Sequence, residues 1–457
     1  MRKQAYIDLR TRLRGGVITV DSDEYEVARK VYNGMIDRRP EAILRCADAA
    51  DVVTAVNFAR QENLPVAVRG GGHNGAGLSV CDHGIVIDLS SMKGVLVDPV
   101  TNTIRAEPGC TQADVNHAAH GFGLAVPLGV ISTTGIAGLT LGGGTGYLTR
   151  KYGLTVDNLL EANLVLANGS CITAGVNENP DLFWGIRGGG GNFGIVTSFL
   201  FQGRPLAQVF AGPMLWEMEH ARELLQWYQD ILPALPEDLY GFFAFLKVPP
   251  GPPFPEELHR KTMCAIVWAY CGPMDKLQDA FRAPRKFRKP KFELMGLMPY
   301  PALQSMFDTI YPPGLQWYWS GDFLSQIPDA AIDRHLKYGE QLPTLQSTMH
   351  LYPIDGAASR VDKHETAFSY RDAKWSMVIV GVDPDAANAQ KITTWTKDYW
   401  AALHPYSLGG AYVNFMMDEG IDRVRAAYRD NYDRLVKLKQ KYDPNNFFRI
   451  NQNINPD

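Results

Sequence analysis

The chain has 457 residues, 46% of them hydrophobic and 21% charged, with a formal net charge of −4. That length exceeds one compact core and predicts two or three domains in an ordinary soluble protein. No basic stripe points to a nucleic acid, and no run of about 18 apolar residues points to a membrane span, so a cytoplasmic location is expected.

The N-terminus, Met-Arg-Lys-Gln-Ala-Tyr-Ile-Asp, has no apolar centre and does not read as a secretory signal. Residues 48–64 carry apolar side chains at helical spacing, with Asp48 or Asp51 available as N-cap. Leu64-Pro-Val-Ala-Val68 reads as a short buried strand running into Val68-Arg-Gly-Gly-Gly-His-Asn74. Residues 84–90 and 94–99 read as strands with a turn between them, and 163–175 as a hairpin turning at Asn168-Gly169. Beyond about residue 205 the glycine clusters give way to aromatics and proline. Residues 347–355 and 375–383 read as strands of a second sheet, and 421–444 as one helical stretch stopped by Pro444. This mixture predicts an α+β fold. Cys46, Cys81, Cys110, Cys171, Cys264 and Cys271 show no CxxC spacing and read as reduced thiols, and no cluster has metal-ligand spacing.

Gly70–Gly72 is one of four glycine clusters. Gly75 and Gly77 follow it, then the run from Gly135 to Gly146, then Gly188–Gly191 with Gly194. Backbone N–H groups without Cβ atoms form a concave nest for anions, which suits a pyrophosphate. No lysine follows in the P-loop register, and Gly142-Gly-Gly-Thr-Gly146 does not keep the dinucleotide fingerprint. The clusters therefore point to a dinucleotide held outside a Rossmann fold; the other reading is that they are merely turns.

Four segments carry a resemblance. They are "PVAVRGGGHNGAGLSVCDHGIVIDLSSM" (65–92), "GLTLGGGTGYLTRKYGLTVDNLL" (138–160), "DLFWGIRGGGGNFGIVTSF" (181–199) and "YDPNNFFRINQNI" (442–454). Together, and in this order, the chain resembles the berberine bridge enzyme-like FAD-linked oxidases of the vanillyl-alcohol oxidase group, on the bacterial hydroxynicotine-oxidase-like branch. The resemblance implies a two-domain fold with a PCMH-type FAD-binding domain over residues 1–205. It implies a substrate domain over 206–417, an antiparallel sheet backed by helices, and a segment over 418–457 that returns to the FAD domain. It implies hydride removal from a C–H beside an alcohol or amine of a small, ring-containing substrate, with O2 reoxidising the flavin to give hydrogen peroxide. The alternatives are a dehydrogenase with another acceptor, or a flavoprotein scaffold or cyclase without redox turnover.

The family's RxGGH histidine bonds covalently to the 8α-methyl of FAD, which implies His73 as the tether; a neutral imidazole is a competent nucleophile. The resemblance sets Arg69, Gly70, Gly71, Gly72 and Asn74 on the pyrophosphate and ring edge. Gly135, Gly138, Gly142, Gly143, Gly146 and Leu148 are implied on the other side. Asp157 or Asn158, with Ile195 and Val196, are implied near the adenosine or ribose, and Asn451 and Asn453 close the site from the C-terminus.

Two departures stand out. Many members carry a second, cysteine tether, and here its position is Ile131, so a single covalent link is expected; Cys110 lies in the wrong segment and reads as a buried inert thiol. Many members also end a Tyr-x-Asn-Tyr stretch in a tyrosine base, and here it reads Tyr412-Val-Asn-Phe415. Read as a strand, it sets Tyr412 and Asn414 on one face and Phe415 on the other. Replacement groups are His350 and Tyr352, two apart on one strand face, with Asp355 just beyond, and Tyr318. Alternatively, His350 is a hydrogen-bonded core histidine, or an amine bound neutral needs no strong base. Thr134 precedes Gly135 on the expected flavin wall, and an influence on oxygen access is expected of it. Trp216, Trp227, Trp268, Trp317 and Trp319 are either pocket walls or core.

Overall fold

The structure, a computed structural model, describes residues 2–457. Its N-terminal half holds two large sheets and a two-stranded ribbon of Leu124–Ala125 with Arg204–Pro205. Gly16–Thr19, Ala42–Arg45, Ile85–Asp88 and Val66–Arg69 form the first, in that spatial order. Gly16–Thr19 and Ala42–Arg45 pair antiparallel, and the rest run parallel. The crossover from Ala42–Arg45 to Val66–Arg69 is the helix Ala49–Gln61. Asp48 caps it, accepting from the amides of Ala50 and Asp51. Asp51 turns back instead: its buried carboxylate accepts from the amides of Arg14 (2.8 Å), Gly15 (2.9 Å) and Ala47 (2.9 Å).

The strands at 84–90 and 94–99 are both present, but the turn between them joins two different sheets. Val95–Asp98 opens an antiparallel five-stranded sheet with Thr103–Ala106, Ile195–Gln202, Leu159–Val165 and Cys171–Gly175. The predicted hairpin is its last pair, with Gly169 at φ +84°.

Residues 208–383 contain an eight-stranded sheet in which every pairing is antiparallel. Alternation along its strands divides the molecule. Phe243 and Phe245 point to one face, with Trp216, Trp268 and Trp375, and are covered by the helices Ala221–Ile231, Asp329–Glu340 and Ala389–Leu403. Phe242 and Ala244 point to the other face, with Val267, Val378 and Val380, and pack toward Tyr32, Tyr147 and Leu148 of the glycine-rich half. Trp216 and Trp268 are thus core, Trp227 lies on Phe287 (4.7 Å between centroids), and only Trp317 and Trp319 face inward.

Residues 421–444 are not one helix. Ile421–Tyr428 ends at Arg429, whose φ is +49°, and Tyr432–Tyr442 begins anew after a single 3-10 turn. Asn431 at the break donates to the carbonyls of Lys363, Thr366 and Ala367, so a tertiary contact overrides the local helical pattern. The second helix returns to the N-terminal half. Its fully buried Lys439 donates to Asp443 (2.7 Å) and to the carbonyls of Asn192 (2.8 Å) and Phe448 (2.9 Å). Among the described residues, no helix is long and apolar enough to cross a membrane.

His335 lies wholly buried in the helical layer, with Nδ1 2.7 Å from the Tyr399 hydroxyl. Burial pushes its pKa down to about 3. In the unfolded chain it titrates near 6.5, so unfolding takes up a proton between those values. Stability is therefore fullest above about pH 6.5 and falls as the pH drops toward 3. Urea midpoints at pH 7.5 and 5.0 should drop less in His335→Gln than in the wild type; equal drops would remove His335 from the account.

Candidate active site

Between the glycine loops and the inner face of the large sheet lies a cavity of about 640 Å³. Its narrowest wall is made by backbone alone. A Cβ on Gly71 would sit 2.5 Å from both N and Cα of Gly135, and one on Gly135 would meet Gly71 equally closely. A Cβ on Gly70 would lie 2.9 Å from the Pro108 carbonyl oxygen. Gly138 and Gly191, by contrast, face open space along the cavity. These loops pack tightly against each other and leave a smooth floor.

Gly72, at φ +69°, turns the chain so that His73 enters the cavity wall. Its ring stacks on Tyr32, with centroids 3.8 Å apart and planes 18° from parallel. Burial pushes its pKa down to about 4, only partly offset by the nearby Thr133 backbone. The imidazole is therefore neutral at neutral pH, and one of its ring nitrogens keeps its lone pair.

The facing wall carries His350 and Tyr352. The Tyr352 hydroxyl lies 2.6 Å from His350 Nδ1, and Thr348 Oγ1 lies 3.0 Å from Nε2. Thr348 gives its only hydroxyl proton to the Phe245 carbonyl (2.7 Å), so its oxygen accepts from His350. Nε2 therefore carries the hydrogen, and Nδ1 accepts from Tyr352. Burial holds His350 near a pKa of about 3 and raises Tyr352 far above its ordinary range.

Tyr412 and Asn414 complete this wall, but not on a strand. Val413–Phe415 is a 3-10 turn, and Tyr412, Asn414 and Phe415 all reach the cavity, which corrects the two-faced strand expectation. The Tyr412 oxygen accepts from the Gly144 amide (2.8 Å) and from Asn414 Nδ2 (2.8 Å). Burial nevertheless pushes this phenol up to about 12. Phe415 packs at 4.9 Å from Tyr412 and 5.8 Å from Tyr352, a ring without oxygen between two hydroxyls.

The fold brings together Gly70, Gly71, Gly72, His73, Asn74, Gly135, Gly138, Ile195, Val196 and Asn451, and faces them with His350, Tyr352, Tyr412 and Asn414. The other named residues lie elsewhere. Arg69 turns its guanidinium away, to Asp88 (2.6 Å) and the Ala28 carbonyl (2.7 Å). Asp157 is bound by Arg371, and Asn158 by the carbonyls of Tyr152 and Leu154 and by Arg204. Gly142 and Gly143 make room for Asn414 and Phe368, Gly146 for the Leu128 carbonyl, and Leu148 packs in the core between the halves. Asn453 does not line the cavity. Tyr318 points to the helical face, where Lys397 lies over its ring, because Trp317 and Trp319 take the inward positions. Asp355 is held by Arg150 at 2.8 Å.

Ile131 lines the cavity, whereas Cys110 is buried outside it, its thiol pushed up to about 12. Tyr32 had no sequence signal; it sits in "KVYNG", and only the tertiary fold brings it to His73. Buried Asn451 Oδ1, Ser79 Oγ, Tyr428 OH and the indole nitrogens of Trp317 and Trp319 belong to lining residues and have no protein partner. Unpaired polar atoms, a Cβ-free floor and aromatic walls fit a bound dinucleotide with a planar ring system.

Comparison with known proteins gives the same picture. Residues 40–175 match the FAD binding domain family and residues 411–455 the berberine and berberine-like family. An uncharacterized FAD-linked oxidoreductase of Bacillus subtilis, YgaK, is 31% identical over 456 residues, covering 98% of each chain. The (R)-6-hydroxynicotine oxidase of Paenarthrobacter nicotinovorans is 27% identical over 97% of each chain. The crystal structure of 6-hydroxy-D-nicotine oxidase from Arthrobacter nicotinovorans superposes with a TM-score of 0.87 at 26% identity, over 97% of this chain and 98% of that one.

The contact between Gly71 and Gly135 gives a direct test. Gly71→Ala places a methyl group against backbone that cannot yield without moving the whole loop. The variant should purify with little or no flavin, read from the visible absorbance per polypeptide; a wild-type flavin content would show that the two loops can part.

Proposed function

The chain belongs to the berberine bridge enzyme-like FAD-linked oxidoreductases, and on that premise we propose that it is an FAD-dependent oxidase of a small, ring-containing alcohol or amine. The observation that carries this reading is that nucleophilic His73 and the Tyr352–His350 pair face one cavity. Bound FAD supplies a two-electron acceptor for hydride. Its cradle is Gly70–Asn74, Gly135, Gly138 and Asn451, and His73 is the single covalent tether, since Ile131 offers no thiol.

The protein's own part in the reaction is to bind, orient and take a proton. Phe242, Trp317, Trp319, Tyr311 and Phe415 offer flat surfaces to a ring. No carboxylate lines the cavity among the described residues, so an amine is bound neutral rather than as a cation. A substrate O–H or N–H donates to the Tyr352 oxygen as the hydride leaves, and the Tyr352 proton shifts to His350 Nδ1. Thr348 holds His350 in the tautomer that receives it. Phe415 leaves this pair as the proton acceptor on that side of the cavity. Reoxidation by O2 with release of hydrogen peroxide is supported by relatives that are named oxidases.

Acid denaturation tests the tether. Yellow colour and flavin fluorescence should stay with the wild-type polypeptide and leave His73→Ala; release from both would end the covalent reading. Tyr352→Phe should keep its flavin and slow anaerobic flavin reduction by about 100-fold or more. Because His350 stays neutral down to about pH 3, the reduction rate should show no acid limb between pH 5 and 8. A limb near pH 6.5 would assign the proton to another group.

A further inference from the structure

We propose that Tyr32 is a positioning residue for flavin attachment, holding the His73 ring in the plane from which it reaches the 8α-methyl, and that it does so only when the segment 311–317 is docked. This rests on the reading of His73 as the tether.

Little besides Tyr32 fixes His73. It follows three glycines, and among the described residues no side-chain hydrogen bond fixes its ring, so rotation of the imidazole is left open. The stack with Tyr32, 3.8 Å between centroids and 18° between planes, removes that freedom. Tyr32 in turn is tied at several points. Its amide donates to the Gly72 carbonyl (3.1 Å), within the histidine loop itself. Its carbonyl accepts from the Gly314 amide (2.9 Å), and its hydroxyl donates to the Tyr311 carbonyl (2.7 Å).

Asn33, next along the chain and almost fully buried, repeats the pattern. Its Nδ2 donates to the carbonyls of Gly75 (2.7 Å) and Trp317 (3.0 Å), and its Oδ1 accepts from the Trp317 amide (3.1 Å). The pair Tyr32-Asn33 therefore reads the histidine loop on one side and the large sheet's edge strand on the other. The ring that orients the nucleophile is placed by the same bonds that join the two halves. Attachment before docking would meet an imidazole free to rotate.

The chemistry is balanced. One C–H bond of the 8α-methyl is replaced by a C–N bond to the imidazole. The methyl and the imidazole each lose one hydrogen, and the two electrons and two protons released reduce dioxygen to hydrogen peroxide.

The test is the fraction of flavin that stays with full-length protein after acid precipitation, confirmed by intact mass. Tyr32→Leu fills similar space without a ring. It should bind FAD but lose covalent attachment by roughly tenfold or more, since small misplacements of a nucleophile cost that much. Tyr32→Phe keeps the stack and should attach nearly as well as the wild type. Tyr32→Met serves the same comparison if the leucine variant does not fold. Wild-type attachment in the leucine or methionine variant, or a phenylalanine variant as poor as leucine, overturns the proposal while leaving the tether intact. Flavin released by acid from the wild type itself overturns the tether reading first.

Discussion

The cavity depends on the contact of Gly71 with Gly135, two backbones touching where no Cβ can enter. Ordering glycine costs more chain entropy than ordering any other residue. Here it makes a wall one backbone thick, with the second loop closed against it. The two clusters, more than sixty residues apart in sequence, are one physical feature. Gly72, at φ +69°, then turns the chain so that His73 lines the cavity.

The second organising fact is the pleat of the large sheet. One face carries bulky aromatics under three helices, and the other faces the glycine loops across the cavity. Each residue's role follows from which side of the pleat it occupies. Trp317 and Trp319 reach the cavity and Tyr318, between them, does not. His350 and Tyr352 share the inner face, and the hydroxyl of Thr348 beside them sets the imidazole tautomer. The same alternation thus builds both a core and a proton path.

The buried charges do a third job. Arg69 with Asp88, Asp157 with Arg371, Arg150 with Asp355, and Lys439 with Asp443 tie segments to one another. Taking such charges out of water costs several kcal/mol for each ion unless partners meet it. Arg150 donates to Asp355 and to the carbonyls of Leu232, Leu235, Pro236 and Leu239 across the two halves. Lys439 likewise holds the loop at Asn192 against the returning C-terminal segment. The side chains of Arg69 and Asp157, although they sit in the diagnostic motifs, are committed in this way to the scaffold.

Local spacing in the sequence was enough for the α+β character, the hairpin at Asn168-Gly169, the Asp48 cap and the paired orientation of His350 and Tyr352, because each depends on residues within a few positions of one another. It was also enough to mark the glycine clusters, because runs without Cβ atoms have few other uses. It did not show that Asp157, Gly142, Gly143, Gly146 and Leu148 pack against residues from other segments, or that Asn158 is held by the carbonyls of Tyr152 and Leu154 and by Arg204. It read residues 421–444 as continuous because the break at Arg429 is set by what Asn431 meets at 363–367. Tyr32 was invisible for the same reason. A stack between residues 32 and 73, held from residues 311–317, exists only once the chain is folded, because contacts across that distance are decided by packing and not by local pattern.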